Sequence, residues 1–164
     1  ELGIGPTTAL TGAALELFQA GSVEGVLHAF TRRGGRHAWE AAELAPSVLL
    51  AAQAGDGVAT AIVRDHGARL GAMARVAVEK VGLEAPFPLV LLGGVLRGEG
   101  SELIVTEVTS RVPEADPVRP TREPVAGALL AALDRAGASY EHRRVDATMP
   151  GAHLYGTEPP QRTP

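Results

Sequence analysis

A run of apolar residues ends in two glycines at Phe87-Pro88-Leu89-Val90-Leu91-Leu92-Gly93-Gly94. The apolar part shows no alternation with polar residues, which is typical of a strand buried on both faces of a sheet. Such a strand needs neighbours on both sides, and prolines bracket one short extended piece around Val118. We therefore expect an α/β fold with few strands, in which the neighbours of this strand lie outside the sequence.

The two glycines at the end of the predicted strand allow two interpretations. Glycine has no Cβ, so a ligand can approach the backbone closely where a strand turns into a helix, and a nucleotide is the obvious candidate. The alternative is a tight turn that binds nothing. A phosphate-binding P-loop is excluded, because Glu99 stands where that motif requires lysine.

The remainder of the chain predicts mainly helices. Gly21 separates two short helices, the second starting near Ser22, and an alanine-rich helix carrying Pro46 ends at Gly55. The longest helix is expected between the N-cap Asp56 and Gly82. Its apolar stripe is predicted to include a partly buried histidine and consists of Ala59, Ile62, Val63, His66, Leu70, Met73, Ala74, Ala77, Val78 and Val81.

Two later segments differ in how clearly they can be assigned. Residues 101–111 combine strand-forming valines and threonines with a helix-like start at Ser101, so the residues alone leave both structures open. A further helix is predicted from Pro124 to Gly137. Residues 147–164, rich in proline and glycine, are expected to form a flexible tail.

Composition excludes several classes of function. The 164 residues are 45% hydrophobic and 21% charged, and no apolar run approaches the length of a membrane span, so one soluble domain is expected. A net charge of −4 gives no basic surface for nucleic acid. The chain has no cysteine, which excludes disulfides and thiolate metal sites and fits a cytoplasmic location.

Neither a metal site nor a catalytic residue is predicted. The histidines lack the paired spacing of metal ligands, and the carboxylates considered as bases fall at caps or on solvated helix faces. The histidines are His28, His37, His66, His142 and His153, and the carboxylates are Asp56, Asp65, Glu79, Asp116 and Asp134.

Four stretches resemble, in order and spacing, the C-terminal half of the BadF/BadG/BcrA/BcrD ATPase family, which includes N-acetylglucosamine kinases. They are PTTALT at residues 6–11, AAQAGD at 51–56, LVLLGGVL at 89–96 and PVAGALL at 124–130. The resemblance implies a partial ribonuclease-H-like lobe of the actin-like ATPase fold over residues 1–146. It also implies a helix from Ser101.

The same resemblance assigns a role to the glycine turn. Gly93, Gly94 and Val95 would contact the nucleoside side of ATP, and the helix from Asp56 would brace that pocket. The family's phosphate-binding loops, sugar site and catalytic aspartate belong to an N-terminal lobe that this sequence does not contain. ATP and Mg²⁺ would thus be bound by the parent enzyme, and the chain alone is expected to be inactive.

The resulting hypothesis is the ATP-binding C-terminal portion of a kinase for N-acetylglucosamine or a related amino sugar. One alternative is a non-catalytic helical module that forms a homodimer through Ile62, Leu70, Met73 and Ala77. Another is an activator-type ATPase of the same family. The kinase is preferred to the activator, because activators ligate an iron–sulfur cluster through cysteine and this chain has none.

Overall fold

A computed structural model of the chain describes residues 5–120, 124–141 and 144–145, which form a helix-rich α/β structure with a small parallel sheet. The predicted tail at 147–164 lies outside these residues. The helices are α1 (Leu10–Leu17), α2 (Val23–Thr31), a 3-10 helix (Ala38–Leu44), α3 (Ala45–Gln53), α4 (Gly57–Val81), α5 (Gly94–Arg97), α6 (Glu102–Ser110) and α7 (Pro124–Arg135). The strands are β1 (Phe87–Val90) and β2 (Ala115–Val118).

The predicted starts of α2 and α4 and the predicted end of α4 are confirmed, whereas α1 ends at Leu17 rather than near Gly21. The Ser22 hydroxyl accepts a hydrogen bond from the Gly25 N–H at 3.1 Å at the start of α2. Asp56 caps α4, which ends at Gly82 with a φ of +69°, in the left-handed region that favours glycine. Pro46 lies in the first turn of α3, where its missing N–H has no helical partner to lose.

The segment left open between helix and strand is the helix α6, and it connects the two strands. β1 pairs with β2 in parallel, from Phe87 opposite Ala115 to Val90 opposite Val118. The expectation that the neighbours of β1 lie outside this sequence is therefore wrong on one side. β2 is four residues long and contains Pro117, and because proline is depleted in strands the sequence indicates this strand only weakly.

The prediction that β1 is buried on both faces is also wrong. Phe87 and Leu91 are 5% and 3% exposed, whereas Val90 and Leu92 are 50% and 44% exposed. The inner face of the sheet packs on Ala74 and Val78 of α4, together with Val112. The outer face remains accessible in the part of the chain that the structure describes.

The core forms around α4, but on a narrower face than the apolar stripe predicted. α4 buries Ala59, Val63, Gly67 and Gly71, which recur at every fourth residue, against α3 and α6. Several members of the predicted stripe are exposed instead, and His66, expected to be partly buried, is exposed as well. The exposed members include Ile62, Leu70 and Met73.

Glycines set the orientation of α4, because they let α6 approach its backbone. A Cβ built on Gly67 would lie 2.6 Å from the Glu107 Cβ and 3.0 Å from the Ile104 carbonyl oxygen. A Cβ on Gly71 would lie 2.7 Å from the Arg111 Cβ. Larger side chains at these two positions would hold the helices apart, so the glycine pair rather than the apolar stripe selects the buried face.

Among the described helices, none is by itself both long and apolar enough to cross a membrane. The segments Ala38–Gln53 and Gly57–Val81 reach that length and composition only together, and they are bent by 113° relative to each other.

Candidate functional site

The glycine turn follows β1 after Leu91 and Leu92, and the space beside its two glycines is open. Gly93 has a φ of +104° and a ψ of 156°, and its carbonyl oxygen accepts a hydrogen bond from the Arg97 N–H at 3.2 Å. A Cβ built on either Gly93 or Gly94 would meet no described atom within 4 Å. Backbone conformation therefore explains glycine at position 93, whereas neither conformation nor crowding within the described chain explains it at position 94.

Below the turn, the following loop is fixed to the core. The Gly98 N–H donates to the Gly94 carbonyl oxygen at 2.8 Å. Gly100 has a φ of +77°, and a Cβ there would lie 2.8 Å from the Leu49 carbonyl oxygen of α3. Leu96 packs against the main hydrophobic cluster, so the turn is supported from inside and accessible from outside.

Exposed aliphatic side chains surround the open side of the turn. Leu92 is 44% exposed and Val95 is 39% exposed, on either side of the two glycines. On the outer face of the sheet, Val90 and its register partner Val118 are 50% and 41% exposed. In open sheets of parallel strands, ligands bind beyond the carboxyl ends of the strands, which is where β1 leads into this turn.

Asp56 connects the start of α4 to the N-terminal segment. Its carboxylate accepts hydrogen bonds from the Ala59 N–H at 2.9 Å, the Ala9 N–H at 2.7 Å and the Thr8 hydroxyl at 3.0 Å. The backbone N–H of Ala59, followed by that of Ala9, lowers the pKa of Asp56 below its usual value. The carboxylate is thus a structural junction, ionised at neutral pH, rather than a proton acceptor.

Three of the four stretches quoted from the sequence meet in one hydrophobic cluster. Leu10, Ala51 and Leu96, one from each of these stretches, pack against a core that includes Leu49 and Ala52. In the fourth stretch, on α7, Ala126 is 1% exposed and Val125 is 49% exposed. The resemblance to the kinase family further implies that α7 packs behind the nucleotide pocket, and that packing stays a prediction.

The titratable groups weighed in the sequence do not gather at the turn. Asp65 forms an ion pair with Arg69 at 2.9 Å, and Asp134 accepts a hydrogen bond from the Tyr140 hydroxyl at 2.7 Å. That hydrogen bond raises the pKa of Tyr140. Within the ranges the structure describes, no three histidine or acidic side chains are grouped so that they could hold a metal ion; His142 and His153 lie outside those ranges.

Two contacts of α4 were not foreseen from the sequence. The hydrogen bond between Thr8 and Asp56 links residues 48 positions apart, and no local pattern signals such a contact. On the other end of α4, Arg75 forms a two-pronged ion pair with Glu114 and donates to the Arg111 carbonyl oxygen at 2.8 Å. The opposite charges of Arg75 and Glu114 do not by themselves signal this ion pair in the sequence.

Comparison with known proteins relates this chain to a sugar kinase. One relative is the N-acetyl-D-glucosamine kinase of Dictyostelium discoideum, which is 31% identical to this chain over 136 residues, or 80% of the chain. The matched region spans 42% of the length of that relative. No family model matches the chain, and no solved structure matches it.

Proposed function

We propose that this chain is the nucleotide-binding C-terminal portion of an ATP-dependent sugar kinase, with a partial actin-like lobe of the BadF/BadG/BcrA/BcrD type. Support comes from the likeness to N-acetyl-D-glucosamine kinase over 80% of the chain. The complete protein would transfer the γ-phosphate of Mg·ATP to a hydroxyl of N-acetylglucosamine or a related amino sugar, in the cytoplasm. The remaining lobe would supply the sugar site.

The observation that carries the proposed nucleotide site is the open space at Gly94. A backbone without a Cβ, at the carboxyl end of a parallel strand and flanked by exposed Leu92 and Val95, fits the flat face of the base of a nucleoside. Gly93, Gly94 and Val95 are therefore assigned to the nucleoside side of ATP. Supporting contacts at Gly98 and Gly100 would hold this surface rigid.

The described residues fit the nucleoside better than they fit the metal. Because they contain no cluster of metal-ligating side chains, we assign no residue of this chain to Mg²⁺. When bound, Mg·ATP supplies the phosphoryl group and the charge stabilisation that phosphoryl transfer requires. The role proposed for this chain is to bind and orient the nucleoside, so the chain alone is expected to show no kinase activity.

Replacing Gly94 tests the site in the complete protein that carries this chain. Gly94→Val fills the open space, and we expect it to weaken ATP binding about tenfold, equivalent to ~1.4 kcal/mol. The KM for the sugar should change little. Gly127→Val is the matched control, because Gly127 is also a helical glycine with no described atom within 4 Å of a built Cβ.

Two results would contradict the assignment. Equal ATP affinity in Gly94→Val and Gly127→Val would remove the turn from the nucleotide site. If the complete protein phosphorylated no amino sugar while still binding ATP through Gly94, the nucleotide site would stand and the substrate class would fall.

A further inference from the structure

A basic loop between α2 and the 3-10 helix carries positive charge on a chain that is acidic overall. Residues 32–36 read Arg-Arg-Gly-Gly-Arg, whereas the whole chain has a net charge of −4. Arg36 is neutralised by Glu40, which lies 2.9 Å from it. Arg32 and Arg33 are exposed, and within the described ranges their guanidinium groups form neither an ion pair nor a hydrogen bond. Two positive charges at this loop therefore remain available to a ligand.

The basic loop has a defined conformation that its two glycines make possible. Gly34 has a φ of +70°, in the left-handed region that favours glycine. A Cβ built on Gly35 would clash with the Ala29 carbonyl oxygen and would lie 3.0 Å from the Cγ of Arg32. The Arg36 N–H donates to the same Ala29 carbonyl oxygen at 2.7 Å. The aliphatic stem of Arg32 therefore packs against the backbone of Gly35, and the loop is held against the end of α2.

An exposed pair of aromatic rings follows the loop directly. The His37 and Trp39 rings are stacked, with 12° between their planes and 6.1 Å between their centroids. Trp39 is 69% exposed, although burying so large an apolar side chain is favourable. The Glu40 carboxylate that pairs with Arg36 also accepts a hydrogen bond from the His37 N–H at 2.7 Å, so it ties the aromatic pair to the loop. The molecule thus presents a flat aromatic surface next to the unpaired arginines.

We propose that the basic loop and the His37–Trp39 pair form an accessory binding surface for a phosphate ester that carries a ring. The guanidinium groups of Arg32 and Arg33 match the oxygens of a phosphate, which arginine binds by paired hydrogen bonds. The ring of the ligand would pack on the exposed indole of Trp39, which removes apolar surface of both from water. Because the surface shares no residue with the glycine turn, it is a second site beside the one proposed for ATP.

Two kinds of phosphate ester share this chemistry. One is the phosphorylated amino sugar that the proposed kinase reaction would produce, and this source rests on the proposed function. The other is a nucleoside monophosphate, which does not depend on it. Testing both esters identifies the source, and inorganic phosphate shows what the charge alone contributes.

The fluorescence of Trp39 reports directly on this surface, because it is the only tryptophan among the 164 residues. In the complete protein that carries this chain, subtracting the emission of the Trp39→Phe variant isolates the signal of Trp39. N-acetylglucosamine 6-phosphate, AMP and inorganic phosphate are titrated separately. We expect one of the two ring esters to change the Trp39 emission and to bind about tenfold more tightly than inorganic phosphate, since only the esters offer a ring to stack.

Arginine variants test the phosphate contacts, with calorimetry measuring the dissociation constant of the ester that binds. The double variant Arg32→Gln with Arg33→Gln should weaken binding at least about tenfold, because hydrogen bonds between a charged donor and the phosphate are lost. Arg135→Gln, which removes an exposed arginine of α7, is the matched control and should leave the affinity unchanged. Gly94→Val should also leave it unchanged, because the surface is separate from the glycine turn.

Several outcomes would overturn the proposal. If neither ester changed the Trp39 emission, no ligand of this class would bind at the surface. Equal affinity for inorganic phosphate and for the esters would leave the aromatic pair without a role, and equal affinity in the double arginine variant and its control would do the same for the loop. Loss of the Trp39 signal in Gly94→Val would make the surface part of the proposed ATP site instead of a second one. A kinase assay on the same samples reports separately on the proposed function, because binding to this surface requires no turnover.

Discussion

Two pairs of glycines in this molecule have opposite surroundings, since one pair is packed against a helix and the other faces open space. Gly67 and Gly71 face α6 at distances that no side chain could occupy, so the fold itself explains them. Gly93 and Gly94 face open space within the described chain, and only Gly93 has a backbone conformation that requires glycine. Open space alone does not mark a ligand site, since Gly127 is equally open; Gly94 differs from it in lying beyond the carboxyl end of β1, where ligands bind in open parallel sheets.

The largest expected change in stability comes from adding a side chain at Gly67 or Gly71, where α6 packs against the backbone of α4. Gly67→Ala should destabilise the protein by about 1–3 kcal/mol, because the new Cβ would force α4 and α6 apart. Gly127→Ala, at an open helical position, should instead stabilise it by up to about 1 kcal/mol. Chemical denaturation of both variants measures the difference, and a stabilising effect of Gly67→Ala would show that the helices do not approach closely there.

Substitution by alanine should affect stability differently at Gly93 and at Gly94. Gly93→Ala should cost about 1 kcal/mol, because an alanine is strained in that backbone region. Gly94→Ala should leave the free energy of unfolding unchanged or slightly raised, since glycine is a poor helix former. Equal destabilisation of both variants in thermal unfolding would mean that Gly94 is held by the fold after all.

The ionised carboxylate of Asp56 at the start of α4 is expected to make a pH-dependent contribution to the stability of the fold. The pKa of Asp56 is lowered by the N–H groups of Ala59 and Ala9, so its stabilisation is complete above the unfolded pKa of about 3.9 and is lost as the pH falls through the folded value. Asp56→Asn should therefore lower the melting temperature at pH 7 and have a smaller effect below pH 4. A melting-temperature difference that does not change with pH would argue against an ionised cap.

The ion pair at the other end of α4 should have a smaller effect. The Arg75 guanidinium holds the pKa of Glu114 below its usual value, so this contribution also disappears on acidification. Glu114→Gln should lower the melting temperature slightly at pH 7, less than Asp56→Asn does. Asp65→Asn, which removes an exposed pair within one helix, is the control expected to show almost no change.

The sequence was most informative where local chemistry defines an element. The caps at Ser22 and Asp56 and the end of α4 at Gly82 were predicted correctly, and the strand from Phe87 was predicted correctly except that it ends at Val90, so that Leu91 and Leu92 separate it from Gly93. The face that α4 buries could not be predicted, because a stripe of apolar residues ran wider than the contact that the glycines select. Hydrophobicity scales do not register glycine as an interior residue, although here it is the residue that α6 touches.

The candidate site likewise has one part that the sequence indicates and another that only the structure shows. A strand followed by two glycines pointed to the turn, but the support from Leu49 beneath Gly100 and the contact between Thr8 and Asp56 join distant segments. Such contacts depend on the tertiary fold. The nucleotide role of Gly93, Gly94 and Val95 was suggested by resemblance, and it remains a prediction for the experiments above.

The hydrogen-bonding edges of β1 have a consequence for the behaviour of the protein in concentrated solution. The Leu91 N–H donates to the Val118 carbonyl oxygen, so the alternation of a strand turns the backbone groups of residues 88 and 90 toward the opposite edge. Pro88 has no N–H at that edge, so a strand from another molecule could form fewer backbone hydrogen bonds with β1. Pro88→Val would restore the missing donor, and we expect the variant to aggregate at lower concentrations than the unaltered protein.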